Sequence, residues 1–468
     1  MKKIKHIHFI GSKGVSMAAL MDIAKGQGSV VSGSDILHFG HSADNIHKHL
    51  DLVVYSAAVG EGNVELIRAR ELGIKLMTRG QFLGEVMENF DISIAIGGAH
   101  GKTTTTAMMN EVLRELEPKV HIGAGESQFR IINSESGIKG GLNKKNTDCK
   151  NHSPITKIQA PTIFITEACE YKKSFLELKH DIAIVLNTDL DHTDCYQNLD
   201  EAKQAFYEFA DNAKKIAIVG DDFNDCKLLN AKRIIKAGLK IDCDIRAGVL
   251  RRDKNGHYNY CLFIKNKLKG RIYLKVAGRH NVVNSLFVIA AALELGLSLE
   301  QVRKGLGRFN GIGRRFERLG EADGNVIYSD YAHHPKEIDC TIASMRECGY
   351  EHIFICFEPH TYTRTASFYK EFALSLSKAD EVVLLPIFAA REQKTDGISS
   401  KSIESELKKA GFAAVICADD YMNACEYVRK YIFRTGQKNA NINNSAIVFI
   451  GAGTIDGIAR EFVDNFSN

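Results

Sequence analysis

Residues 92–106, Ile-Ser-Ile-Ala-Ile-Gly-Gly-Ala-His-Gly-Lys-Thr-Thr-Thr-Thr, constrain the fold more than any other stretch of the chain. An apolar, β-prone run (Ile92–Ile96) enters a glycine turn, Gly97–Gly101, and Lys102 and Thr103 then open a helical run to about Leu116. Strand, glycine loop, Lys-Thr and helix, in that order, is the layout of a phosphate-binding loop. The backbone N–H groups of Gly98, Ala99, His100 and Gly101 and the positive end of the helix dipole would cradle phosphates. Lys102 would neutralise them, and the hydroxyl of Thr103 or Thr104 would reach Mg2+. The turn is one residue shorter than the generic Gly-x-x-x-x-Gly-Lys-Ser/Thr pattern. The plainer alternative is a tight βα turn that happens to carry a lysine; the strand before it and the helix after it favour a nucleoside triphosphate.

The chain's 468 residues suggest roughly two to four domains with room for several cores. A 44% hydrophobic and 25% charged composition is that of a soluble globular protein. A net charge of +4 is too small to predict a nucleic-acid or membrane-surface face, so neither partner is expected. Eleven cysteines without a Cys-x-x-Cys pair fit a reducing cytoplasm. The basic start, Met1-Lys-Lys-Ile-Lys, leads into an apolar run too short for a signal peptide and broken by His6 and His8. No stretch approaches the ~20 apolar residues of a membrane span.

Three α/β domains follow from the alternation of strands and helices. Residues 1–90 read as an abbreviated Rossmann-like domain. Its first strand ends at Ile10, a turn Gly11-Ser-Lys-Gly14 opens a helix, and a second strand ends at Asp35. That spacing resembles a phosphate turn with a ribose-binding carboxylate, although Gly-x-Gly-x-x-Gly is missing and a structural turn reads equally well. A third strand, Leu52–Ser56, precedes a helix at Val64–Leu72. Residues 91–307 read as a central P-loop ATPase-like domain with a mostly parallel sheet. Gly123–Gln159, rich in Gly, Asn, Ser and Lys, reads as a surface insert. Strands Pro161–Thr166 and Asp181–Leu186 end in Glu167-Ala-Cys-Glu170 and in Asn187-Thr-Asp-Leu-Asp-His-Thr-Asp194. Carboxylates and His192 at the strand ends beside a phosphate loop suit Mg2+, against the alternatives of a solvated strand end and a polar turn. Asn281 and Asn284 lie on one face of the helix opened by Gly278. They read either as a cap-region residue and a surface amide or as a pair that meets a base. Residues 308–468 read as a C-terminal Rossmann-like domain. It begins with a glycine-rich hinge bearing Arg314 and Arg315 and continues as a parallel sheet with helices on both faces.

The motifs in order resemble the Mur ligase family, over nearly the whole chain. They are Gly98–Thr104, Glu167-Ala-Cys-Glu-Tyr171, Asp191-His-Thr-Asp194, Gly278–Asn284, Arg314-Arg-Phe316, Asp330-Tyr-Ala-His-His-Pro335, Pro359-His-Thr-Tyr-Thr-Arg-Thr365 and Gly451-Ala-Gly453. His-His-Pro and Tyr-Thr-Arg-Thr resemble the alanine-adding branch and its nearest relatives. The resemblance implies an ATP-dependent ligase of peptidoglycan precursor synthesis, monomeric or weakly dimeric. It would phosphorylate the lactyl carboxylate of UDP-N-acetylmuramate, and L-alanine would then displace phosphate from the acyl phosphate. It further implies that Lys102 bridges the β- and γ-phosphates, that Thr103 and Glu167 hold one Mg2+, and that His192 holds a second. Asn281 and Asn284 would face adenine, with Arg315 and Asp330 gripping phosphate and ribose. Gly11, Lys13, Gly14, Asp35 and Ser56 would hold the UDP substrate, and Tyr331, His333 and Arg364 the amino acid. Lys102, Glu167, His192 and Arg315 would be the catalytic set.

Several positions depart from the family pattern. Ser12 replaces an apolar residue, the Asp35–Leu52 interval is shorter by roughly one βα unit, and residues 125–160 look inserted. Thr361 stands where a second arginine is common, and Gly453-Thr-Ile455 lacks a following acid or amide. Two other functions are consistent with the chain: a Mur-type ligase with another acceptor, such as a tripeptide-recycling enzyme, and a non-catalytic nucleotide-binding relative. The intact Lys102, Thr103, Glu167 and His192 set speaks against the last.

Overall fold

A computed structural model of the chain describes residues 5–36, 40–123, 161–190, 195–223, 231–390, 392–435 and 444–466. The chain forms two compact units. The first comprises residues 1–246, 264–266 and 284–305, and the second residues 247–263, 267–283 and 306–468.

In the first unit, strands β1 (His6–Ile10), β2 (Val30–Ser34), β3 (Leu52–Tyr55) and β4 (Lys75–Thr78) form a parallel sheet in the order β2-β1-β3-β4. A parallel sheet needs apolar cover on both faces. Helices α1 (Val15–Gly26), α2 (Val64–Glu71) and α3 (Arg79–Met87) supply it. Ile7 and Phe9 of β1 bury with Met17, Leu20 and Phe82, while Ile10 buries with Val53, Leu66 and Ala69. Both later helices start at side-chain caps: Asn63 Oδ1 accepts Glu65 N and Leu66 N at 2.9 and 3.3 Å, and Thr78 and Gln81 form a reciprocal capping box. Between Asp35 and Leu52 the described residues hold one 3₁₀ turn, Ala43–Asn45, in keeping with the short connection read from sequence. β4 and α3 are additions to the sequence reading. Lys75–Thr78 is too short to show a period and owes its place to pairing with β3.

The second sheet of this unit contains β5 (Ile92–Gly97), β6 (Lys119–His121), β7 (Ile163–Glu167), β8 (Ile182–Val185), β9 (Ile216–Gly220) and β10 (Arg233–Gly238). All pair in parallel, in the order β10-β9-β8-β5-β7-β6. The first residues of β11 (Ile245–Arg252) continue the pairing from β10. Later strands are added on both sides of β5, so the strand order reverses there, and open α/β sheets bind ligands at the C-terminal strand ends beside such a point. Helix α4 (Lys102–Val112) leaves β5, and α5 (Leu199–Asp211), capped by Asn198, buries Phe206 and Phe209. Helix α6 (Arg279–Glu294) contributes its residues from Asn284 onward to this unit, followed by α7 (Leu299–Arg308). The run expected as an insert, Gly123–Gln159, lies outside the described residues except for Gly123, and Asp191–Asp194 with His192 lies outside them entirely.

In the second unit, β12 (His257–Ile264) and β13 (Lys267–Ala277) follow β11 as successive sheet neighbours. A separate six-stranded sheet has the order β14-β15-β19-β16-β17-β18. Its strands are β14 (Glu317–Ala322), β15 (Asn325–Asp330), β16 (His352–Phe357), β17 (Glu381–Leu384), β18 (Val415–Cys417) and β19 (Ser445–Ile450). Helices α8 (Pro335–Glu347), α9 (Tyr362–Leu376), α10 (Ser400–Lys409), α11 (Tyr421–Thr435) and α12 (Ile455–Phe466) build a core on each face. Pro335 sits at the start of α8, where its missing N–H costs nothing. The all-parallel expectation needs one correction. β14 runs antiparallel to β15, because only two residues, Asp323 and Gly324, join them, and a connection that short can make only a hairpin. No helix among the described residues is long and apolar enough to cross a membrane.

Candidate active site

The glycine loop at the end of β5 is held from two sides. Asn187, just past β8, accepts His100 N on Oδ1 and donates Nδ2 to His100 O, both at 3.0 Å. His100 Nε2 lies 3.2 Å from Asp189 Oδ2. Gly98 and Gly101 have φ of +137° and +86°. A Cβ on Gly98 would lie 3.0 Å from Leu186 Cβ, and one on Gly101 2.8 Å from Asn284 Oδ1. Conformation and close approach therefore both demand glycine. Gly101 caps α4 without a side-chain hydrogen bond, and Lys102, Thr103 and Thr104 occupy the first turn, half-buried. The Lys102 ammonium folds back on its own loop. It donates to Gly98 O at 2.6 Å and Ala99 O at 3.1 Å, and to the two Glu170 carboxylate oxygens at 2.9 and 3.1 Å.

Glu167 ends β7, directly across from Ile96 of β5. Its Oε2 accepts Gly123 N at 3.1 Å, while Oε1 is buried without a hydrogen-bond partner among the described residues. A buried oxygen left unpaired is costly, and a hard anionic donor in that state suits a divalent cation such as Mg2+. Glu170 is buried, and Tyr196 OH donates to its backbone carbonyl at 2.6 Å. Burial, followed by the nearby Glu170 charge, pushes the Tyr196 phenol well above its ordinary range.

The N-terminal turn is equally compact. Gly11 N and Ser12 N both donate to Ser34 O at 2.9 Å, and Gly14 N donates to Gly11 O at 3.1 Å. Asp35, buried, accepts Lys13 N at 3.0 Å, and Ser56 N reaches Ile10 O at 3.3 Å. Gly11, Lys13, Gly14, Asp35 and Ser56 thus gather at one set of strand ends.

The two amides expected on one helix face behave differently. Asn281 donates Nδ2 to Ala277 O at 2.7 Å, a back-bond that fastens the first turn of α6. Asn284 is 5% exposed and stands against Gly101, which corrects the reading of it as a surface amide. Helical period alone does not say what a face meets.

In the second unit, Arg314 donates to Gly451 O and Gly453 O at 3.1 and 3.0 Å. The Arg314 and Arg315 guanidinium carbons each lie 4.8 Å from the Tyr331 ring centroid, and Arg315 lies 3.7 Å from Glu337. Asp330 accepts Ala332 N, Phe316 N and the Thr341 hydroxyl at 2.9–3.1 Å, and burial raises its pKa to about 6. His333 Nδ1 is 3.0 Å from Tyr331 O, and its ring faces His360 at 5.9 Å between centroids. Burial, then the His333 and Arg364 charges, lowers the His360 pKa to about 4. Arg364 lies in the first turn of α9, its N donating to Thr361 Oγ1 at 3.4 Å. Glu392 accepts Tyr362 N and Thr363 N at 2.6 and 3.0 Å at the same helix start. The Tyr331, His333 and His360 rings thereby form a chain of contacts, and the Arg364 charge is near enough to act on His360. Glu170, Asn187, Asp189, His360 and Glu392 complete these clusters. Sequence inspection places each in or beside a polar strand-end run without giving it a role of its own.

Known proteins resemble this chain along nearly its whole length. Family models described as Mur ligase family, catalytic domain; Mur ligase middle domain; and Mur ligase, glutamate ligase domain match residues 6–91, 96–292 and 314–452. The chain is 35% identical over 480 residues to a UDP-N-acetylmuramate–L-alanine ligase of Agathobacter rectalis, covering 98% of this chain and 97% of the relative. It is 35% identical over 485 residues to a ligase of the same description from Acetivibrio thermocellus, covering 98% and 96%. A solved UDP-N-acetylmuramate-alanine ligase from Thermotoga maritima superposes with a TM-score of 0.74 at 26% identity, over 99% of each chain.

Proposed function

This chain belongs to the Mur ligase family, and from that premise we propose that it is the ATP-dependent ligase that joins L-alanine to UDP-N-acetylmuramate in peptidoglycan synthesis. The observation that carries the reading is the Gly98–Thr104 loop, which opens α4 at the reversal point of a parallel sheet in a chain 35% identical, end to end, to ligases so described. The work is cytoplasmic, and the enzyme acts as a monomer or weak homodimer.

The reaction divides among the residues that the family resemblance points to. Loop N–H groups from Gly98 to Gly101 and the Lys102 ammonium neutralise the β- and γ-phosphates of ATP, which brings the lactyl carboxylate of the sugar nucleotide against the γ-phosphorus. The carboxylate oxygen forms the new P–O bond, ADP departs, and an acyl phosphate remains. Thr103 and Glu167 would hold one Mg2+ and His192, outside the described residues, a second; bound there, the metal would supply the charge neutralisation that lets two anions meet. The amine of L-alanine adds to the acyl carbon, loses a proton, and expels phosphate. Gly11, Lys13, Gly14, Asp35 and Ser56 position the uridine nucleotide, and Asn281 and Asn284 serve adenine. Asp330 and Arg315 serve ribose and phosphate. In the second unit, Tyr331 and His333 shape the acceptor pocket, and Arg364 pairs with the alanine carboxylate.

Phosphate release from MgATP, with UDP-N-acetylmuramate and each amino acid singly, tests the assignment. Release should require both the sugar nucleotide and L-alanine. Release with a different acceptor or nucleotide would move the substrate, and ATP binding without release in any mixture would remove the catalytic reading.

A further inference from the structure

Arg79 opens α3, yet its guanidinium turns away from that helix. Its terminal nitrogens donate to Ser16 Oγ at 3.0 Å and to Ser174 Oγ at 3.2 Å. Ser16 lies in the first turn of α1, just beyond Gly11–Gly14, and Ser174 in the 3₁₀ segment that follows Glu167 and Glu170. The arginine therefore spans the interval between the uridine-nucleotide turn and the carboxylates beside the phosphate loop.

Among the described residues no carboxylate pairs with this half-buried cation. The acids of the adjoining segment are engaged elsewhere: Glu167 with Gly123 N, Glu170 with Lys102, and Glu177 with the Thr78 hydroxyl at 2.6 Å. His121, whose Nε2 lies 3.1 Å from Ser16 Oγ, is no counter-ion for an arginine in either protonation state; burial and then the Arg79 charge lower its pKa to about 4, which keeps the ring neutral beside the guanidinium. Lys172 repeats the pattern. It donates to Ala57 O at 2.8 Å, next to Ser56, and meets no carboxylate among the described residues. Lys172 and Lys173 hold φ of +50° and +56°, an unusual backbone for two successive lysines. An arginine fork whose hydrogen-bond partners among the described residues are two hydroxyls keeps donors for a further planar or phosphoryl anion.

We propose that Arg79, with Lys172 of the same 3₁₀ segment as its partner Ser174, binds an anionic group of the sugar-nucleotide substrate: its diphosphate or its lactyl carboxylate. The assignment rests on the substrate reading above. The experiment is equilibrium binding of UDP, UDP-N-acetylglucosamine, UDP-N-acetylmuramate and ATP to the wild type and to Arg79→Gln and Arg79→Lys. Glutamine keeps a donor for the serines without the charge. Arg79→Gln should weaken UDP-N-acetylmuramate about tenfold or more, the size of a lost charge-assisted hydrogen bond, with Arg79→Lys intermediate and ATP unchanged. Equal losses for all three uridine nucleotides place Arg79 on the diphosphate; a loss confined to UDP-N-acetylmuramate places it on the carboxylate. Arg79→Gln binding every uridine nucleotide as tightly as the wild type overturns the proposal, as does an equal loss for ATP, which marks a purely structural role. A wild type that binds none of the uridine nucleotides overturns the substrate reading itself, and this assignment with it.

Discussion

The ion pair between Lys102 and Glu170 sets up an unusual expectation for Glu170→Gln. Lys102 meets two carbonyls and both carboxylate oxygens, and the two side chains are 18% and 4% exposed. A hydrogen bond to a charged group is worth about 1.5–3 kcal/mol and a neutral one about 0.5–1.5 kcal/mol. Glutamine keeps one acceptor, so the nucleotide-free protein should lose about 1–2 kcal/mol of stability on these figures. If Lys102 reaches the β- and γ-phosphates, it must let go of Glu170, and the wild type then keeps a buried carboxylate without its lysine. The neutral glutamine of the variant escapes that cost, so the same 1–2 kcal/mol returns as tighter nucleotide binding, about five- to thirtyfold. Two measurements decide it: thermal unfolding of the nucleotide-free protein, and calorimetric titration with a non-hydrolysable ATP analogue at saturating Mg2+. A lower unfolding midpoint with a smaller dissociation constant is expected. A variant that binds the analogue more weakly would refute the reasoning, because it would mean that Glu170 still holds Lys102 in the complex.

Gly101→Ala should abolish most ATP binding and cost about 1–3 kcal/mol of stability, since the added Cβ would sit 2.8 Å from Asn284 Oδ1 at φ +86°; equilibrium unfolding and ATP titration check it. Glu65 is fully buried, and although burial opposes ionisation, the His8 ring 3.7 Å away and hydrogen bonds from Asn45, Ser34 and Ser42 hold its pKa down to about 2 from 4.5. A depressed carboxylate stabilises the fold above the unfolded pKa and loses that contribution as pH falls through the folded one. Glu65→Gln should therefore cost about 3 kcal/mol at pH 7, with the deficit shrinking between pH 4.5 and pH 2, and a pH-independent deficit in denaturant titrations would count against it. Arg364→Ala should raise the KM for L-alanine about tenfold or more while leaving the KM for ATP unchanged, as steady-state kinetics will show, because the carboxylate loses its charge-assisted partner.

The parts of this fold that sequence reveals are those fixed by local chemistry. Ile92–Gly97 is apolar on both faces, is followed by glycines that alone tolerate the loop backbone, and leads into a helix, so strand, loop and helix can be read together. Elements held by their neighbours escape such reading. β6 has three residues and exists because Val120 and His121 pair with Ile165 and Thr166 of β7. β14 turns antiparallel because its hairpin is two residues long. The same division runs through the site. Glu170 stands in a motif visible in the sequence, but its pairing with Lys102 joins positions 68 residues apart and depends on adjacent strand ends. Asp35 has the spacing of a ribose-binding acid, yet its carboxylate already accepts Lys13 N and shapes the turn it was expected to serve. Asn284 reads as a surface amide or as one of a pair that meets a base, until the packing of α6 against the glycine loop gives Gly101 a second reason to lack a side chain. Arg79 carries no sequence signal at all, since a cation after a threonine cap is an ordinary helix start. Its interest arises only where two hydroxyls, one from each side of the interval, meet it and no carboxylate among the described residues does. Motif reading thus finds the residues proposed to touch phosphate, whose backbone needs are local. The residues that hold those groups in place become visible only when the strand ends are brought together.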